Sequence, residues 1–145
     1  MKELLLRSHT EWAGLVLRLT AGLIMLPHGL QKLLGVWGGF GFKATMNYFT
    51  DTMKLPAVIA FSVIIIESVG AVGLLAGFLS RIWATLFIIV MAGAIFTTNL
   101  KHGLFMNWYG QQAGEGYEYH LLVIGICITI FLLGSGKFSV DNVLR

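Results

Sequence analysis

The sequence predicts an all-α fold: a polytopic membrane four-helix bundle with a short interfacial amphipathic helix between spans one and two. Three observations carry this. Of the 145 residues, 57% are hydrophobic and only 12% charged, against about 25% charged in ordinary soluble domains. The mean hydropathy is +0.80. The apolar runs are continuous rather than alternating, and far longer than the ~10 residues of a barrel strand. At ~20 residues per crossing, a chain of this length holds four spans in one domain, residues 1–145.

Span one is expected from Ala13 to Leu34. Lys2 and Arg7 precede it as they would in a secretory leader, but no small-x-small cleavage site follows, and Arg18 and His28 interrupt the apolar run. A retained first span is therefore expected. Gly35, Gly38, Gly39 and Gly41 end it. Phe42, Met46, Phe49 and Met53 then recur at helical spacing, with Lys43, Asn47, Asp51 and Lys54 elsewhere on the wheel. This is the pattern of a short amphipathic helix lying in the interface, and Leu55-Pro56 stops it.

Span two is expected from Ala57 to Leu79 and span three from Ile82 to Leu100, joined only by Ser80 and Arg81 in a tight antiparallel hairpin. Gly70, Gly73 and Gly77 suit a helix-packing face, since small residues let backbones approach. Residues 101–118 follow as a flexible loop carrying Phe105, Trp108, Tyr109 and Tyr117 among glycines. Such aromatics serve an interfacial belt, or a roof over the helix ends. Span four is expected over residues 117–133. This topology puts both termini and the Ser80–Arg81 turn on one side and the two long loops on the other. Lys2, Arg7, Arg81, Lys137 and Arg145 face Lys32, Lys43, Lys54 and Lys101 across the membrane, a small excess that places both termini in the cytoplasm.

The net charge of +3 sits beside apolar spans, where topology and lipid headgroups account for it, and nucleic acid is not an expected partner. Cys127, the single cysteine, lies inside an apolar run, so there is no internal disulfide and no dithiol pair. No histidine and cysteine cluster has zinc-ligand spacing, so no metal is expected.

Glu67 falls near the middle of span two. A charge at the bilayer centre costs at least about 2.5–3.5 kcal/mol, so an ionisable group there marks a functional site by default. Helical rise puts Arg18, His28, Gln31 and Lys32 of span one within reach of its level. His28, Gln31 and Lys32 share a face. Asn99 and His102 close span three, and Glu118 and His120 open span four, all in the loop-side half. The expected pocket is therefore Arg18, His28, Gln31, Lys32, Trp37, Glu67, Asn99, His102, Trp108, Tyr117, Glu118 and His120, floored by Glu67 and roofed by the aromatic loop. Arg18 and Glu67 also suit a structural bridge between spans one and two.

These residues lie in stretches that resemble the DoxX family of small bacterial membrane proteins. The matching segments are LRLTAGLIMLPHGLQKL, WGGFG, IIIESVGAVGLLAGFLSR, MAGAIFTTNLKHGLFMN and GYEYHLLVIGICITIFLLGSGKFSVD, nearly the whole chain in order. The resemblance implies a four-span bundle in the bacterial inner membrane, associated with quinol oxidation, with oxidoreductase activity or with partner enzymes of thiol and superoxide stress. It carries over Arg18, His28, Lys32, Glu67, Gly116, Tyr117 and Glu118 as positions, without settled roles. The chain has no haem motif, nucleotide fingerprint or dithiol, so it holds no intrinsic cofactor. A quinone-linked redox component is the expected function, with Glu67, His28 and His120 as candidate proton-exchanging groups. The alternatives are an accessory subunit that docks a redox enzyme, or a module that binds a lipid or a hydrophobic small molecule. Homo-oligomers remain open.

Overall fold

The structure, a computed structural model, describes residues 12–144. Lys2, Arg7 and Arg145 of the charge balance lie outside the described residues. In chain order the helices are α1 (Trp12–Leu34), α2 (Gly41–Asn47, extended by a π-turn at Tyr48–Thr52), α3 (Ala57–Ala76), α4 (Ser80–His102), α5 (Glu118–Leu133) and a short α6 (Val140–Val143). α1, α3 and α4 are long and apolar enough to cross a membrane, and α5, at 16 residues, is a shorter apolar helix beside them. The described residues include no strand.

The helices pack through glycine on one face of α1. A Cβ at Gly14 would press on the backbone of Gly134 and Gly136, and one at Gly22 would press on Leu75 and the Ala71 carbonyl. On the next interface, Gly70 and Gly73 of α3 leave room for the Trp83 indole of α4 to lie against the helix. Close approach of this kind is how helices associate where lipid offers no hydrophobic drive between them. The buried core, including Met25, Leu74, Phe87, Met91, Val123 and Ile130, fills the space between α1, α3, α4 and α5.

The α3–α4 turn differs from expectation. It spans residues 77–79, and Ser80 and Arg81 already belong to α4. Gly77 (φ 67°) and Leu79 (φ 52°) both take left-handed backbone; Gly77 ends α3 as glycine commonly does. The strained Leu79 is held by an acceptor from elsewhere in the chain. The Asp141 carboxylate accepts from Leu79 N at 2.7 Å and Ser80 N at 3.1 Å, so it caps α4.

Asp141 belongs to a second polar centre, one that the hydropathy pattern does not reveal. Residues 134–144 fold back under the bundle. Asp141 also accepts from the Ser135 hydroxyl, and its own N–H donates to Gly77 O at 2.9 Å. Arg18, 1% exposed, enters from α1. Its Nε donates to Ser135 O (2.8 Å), its Nη1 to Leu74 O (3.2 Å) and Leu75 O, and its Nη2 to Lys137 O (3.0 Å) and Phe138 O (2.7 Å). One guanidinium thus satisfies the open carbonyls at the end of α3 and after α5.

This arrangement makes a stability prediction. Arg18→Met leaves those buried carbonyls without a donor and should destabilise the protein by about 3 kcal/mol or more, since charged hydrogen bonds contribute ~1.5–3 kcal/mol each. Denaturant titration in mild detergent reads the effect. An unchanged midpoint would show that the lock contributes nothing.

Candidate functional site

At the other end of the bundle the helices part. α4 packs against the later part of α3, Ile66–Gly70 and Ala71–Ala76, but its contact with Ala57–Ile65 is slight. The gap holds a cavity of about 850 Å³, within the range of ~300–1,000 Å³ usual for small-molecule sites. Its walls are mainly apolar: Ile59, Val63 and Ile66 on α3, Leu86, Ile89 and Val90 on α4, and Phe49, Met53 and Leu55 from the segment after α2. The extension of α2 and the residues after it therefore form one side of the cavity.

Glu67 reaches this cavity from a π-turn, Ile66–Gly70. A π-turn adds a residue to the helical circuit. Here it buries Ile66, Glu67 and Ser68 in succession, which the 3.6-residue period of a regular helix would not bring to one face. The Ser68 hydroxyl turns back to Ile64 O at 2.6 Å. α1 crosses at this bulge through Gly29, where a Cβ would collide with the backbone of Glu67 and Ser68. That close approach carries Lys32, one turn further on, to Glu67: Nζ donates to Oε2 at 2.5 Å, with the side chains 27% and 7% exposed respectively. A second π-turn, Ile95–Asn99 in α4, contributes Thr97, Thr98 and Asn99 to the cavity.

α5 enters with Tyr119 and His120 in its first turn. The Tyr119 hydroxyl donates to Met25 Sδ at 3.3 Å. Its ring lies 6.2 Å from His28 and 5.6 Å from His120, centroid to centroid, so the phenol is sandwiched between two imidazoles. His120 Nδ1 is buried without a hydrogen-bond partner among the described residues. His28, Lys32, Glu67, Tyr119 and His120 together line the polar end of the cavity. The set combines a cation, an anion, two imidazoles that can each donate or accept, and a hydroxyl donor.

The structure brings His28, Lys32, Glu67, Asn99 and His120 of the expected pocket to the cavity wall. The others stand elsewhere. Arg18 is at the opposite end, and Glu67 has Lys32 rather than Arg18 as its partner; the two long side chains of α1 serve opposite ends of the bundle. Gln31 donates to Trp37 O at 3.2 Å across the glycine turn. Trp37 is 69% exposed and Trp108 76% exposed, so neither roofs the cavity. Trp108 Nε1 instead donates to Glu118 at 3.0 Å. The Tyr117 and Glu118 amides donate to Gly103 O and Leu104 O, tying the loop to the start of α5. His102 packs against Gly114. Sequence reasoning passed over Tyr119 and Glu115, which do line the cavity. Tyr119 adjoins a chosen histidine, and adjacency alone does not tell which of two neighbours on a helix faces inward.

The sequence profile of the family described as DoxX matches residues 13–100. That stretch holds α1, α3 and nearly all of α4, and with them Lys32 and Glu67. A protein of Bacillus subtilis (strain 168) named Putative oxidoreductase CatD is 31% identical over 131 residues, covering 90% of this chain and 86% of that protein. No solved structure gives a significant match.

Gly29 provides a direct test of how the ion pair is held. Gly29→Ala should force α1 away from the π-turn and destabilise the protein by about 1–3 kcal/mol, the usual range for overpacking. Gly125→Ala, on α5 where a Cβ meets nothing within 4 Å, is the matched control. Equal unfolding midpoints for the two variants would disprove the crossing argument.

Proposed function

The chain belongs to the DoxX family, and from that premise we propose that it binds a lipid-soluble quinone in the α3–α4 cavity and takes part in quinone-linked redox chemistry in the membrane. The observation that carries this reading is the cavity's polarity: apolar walls that end on a Lys32–Glu67 ion pair, its carboxylate buried, flanked by His28, Tyr119 and His120. A quinone has the matching form, an apolar ring and tail with two carbonyl oxygens at the head.

In this reading Lys32 and Tyr119 donate hydrogen bonds to a quinone oxygen. Reduction of a quinone to a quinol takes two electrons and two protons. Glu67, His28 and His120 are the groups that exchange those protons, because a carboxylate and two imidazoles at the cavity wall can each gain or lose one. The electrons come from a partner redox enzyme in the same membrane, which gives the chain an accessory role as well as a binding one. With both termini in the cytoplasm, the cluster faces the outer side of the bacterial inner membrane.

A non-redox lipid site is the second reading. It is favoured by the partial exposure of the Lys32 side chain, which suits an anionic headgroup.

The test is equilibrium binding of a naphthoquinone with an isoprenoid tail to purified protein in nanodiscs. Glu67→Gln should weaken binding about tenfold, equivalent to about 1.4 kcal/mol, with its unfolding midpoint recorded alongside. Unchanged affinity and turnover would remove Glu67 from the site. Binding of an anionic phospholipid, with no quinone bound at all, would favour the lipid reading.

A further inference from the structure

We propose that the ligand enters this site sideways from the hydrocarbon of the bilayer, through the gap between the first half of α3 and α4, and that Gly93 is the residue that keeps the entrance open. The inference rests on the quinone reading above and adds a route and a determinant of tail specificity.

Gly93 lines the cavity, is exposed, and has no atom within 4 Å of where its Cβ would stand. Most glycines of the helical bundle sit where a side chain would strike a neighbour, as Gly22, Gly29, Gly70 and Gly73 do. Gly93 is different: no packing accounts for it, and glycine within a helix is unfavourable by about 1 kcal/mol relative to alanine. What its missing side chain provides is width in the gap. At the loop-side end of α3, Ile59 is 50% exposed, and on the turn of α4 before Gly93, Ile89 is 60% exposed, although both also line the cavity. Side chains that face both the cavity and the outside mark the rim of an opening.

The depth agrees. Gly93 lies nine residues before the end of α4 and Glu67 ten residues after the start of α3, so both are ~14–15 Å from the loop-side ends of their helices. The entrance is therefore level with the ion pair and well inside the ~30 Å hydrocarbon layer. A tailed molecule can place its head on Lys32 and Glu67 while its tail remains between lipid chains, and the tail need never cross water.

The experiment compares two probes, a naphthoquinone with a long isoprenoid tail and the same ring without a tail. Association rates are measured on wild type, Gly93→Phe, Ile59→Trp and Gly125→Phe in nanodiscs. Gly125 is a second open, exposed position on α5 outside the cavity, so its variant controls for a bulky group on the lipid face. Gly93→Phe and Ile59→Trp should each slow association of the tailed compound about tenfold, within the one to three decades over which such rates vary among variants. The tail-less ring should be little affected, and Gly125→Phe should behave as wild type. Wild-type rates for the tailed compound in both portal variants would overturn the route while leaving the binding site standing. Failure of wild type to bind either probe would overturn the quinone reading, and the route with it.

Discussion

The structure depends on the placing of one carboxylate. Glu67 lies about midway along α3, where water cannot solvate it, and an unpaired charge at that depth would be expensive. Lys32 meets it at 2.5 Å. For that distance to exist, α1 must touch α3 with no side chain between them, and Gly29 permits it. The π-turn of α3 must also turn Glu67 inward, at the level where α1 arrives. A glycine, a helix irregularity and a lysine one turn away are thus three consequences of the same electrostatic requirement. Such a pair is weak support for stability, because desolvating two charges offsets most of their attraction. The helix distortion around it makes more sense as the means of holding two charges at a cavity wall.

The two ends of the bundle meet the demands of buried polarity in opposite ways. At the terminal side, Arg18 spends its donors on backbone carbonyls, while Asp141 takes amide and hydroxyl donors from the α3–α4 turn and the C-terminal segment. Those groups are turned toward one another, and Arg18, Ser135 and Asp141 are each only 1% exposed. At the loop side, His28 and His120 border open space and His120 Nδ1 has no partner among the described residues. A closed network rigidifies; an open one keeps donors and acceptors for something else. Arg18 and Lys32 come from the same helix, so α1 acts as a rod whose ends do different work.

Much of this was legible in the sequence. Continuous apolar runs gave the bounds of the four long helices to within a few residues, because hydropathy over ~20 residues is a strong signal. The gathering of polar side chains in the loop-side half followed from topology alone, and Glu67 stood out by its cost. Other parts were not legible, for identifiable reasons. The Arg18 lock depends on carbonyls of residues 135, 137 and 138, and backbone acceptors have no sequence signature. The turn at 77–79 required a leucine in left-handed backbone, which a distant aspartate holds in place. Trp37 and Trp108 turn outward, Trp108 to donate to Glu118, and the sequence does not tell which way a loop tryptophan faces. The π-turns at Ile66–Gly70 and Ile95–Asn99 were invisible, since nothing in IESVG or IFTTN departs from an ordinary apolar helix apart from its polar residues.

The difference between the two ends also bears on what the cavity is for. A pathway through the bundle would have to pass the terminal side, where α1 at Gly14 packs closely on Gly134 and Gly136 and the Arg18 guanidinium hydrogen-bonds the end of α3 and the segment after α5. Opening it would strand several buried carbonyls at once, each costing ~1–3 kcal/mol. At the loop side, separating α3 from α4 breaks no such network, because the first half of α3 already stands apart from α4. The energetically cheap motion therefore widens the cavity toward lipid and leaves the far end shut. In the reading proposed above, a cavity closed at that end would hold a molecule and release it to the same side, which favours binding and local chemistry over passage.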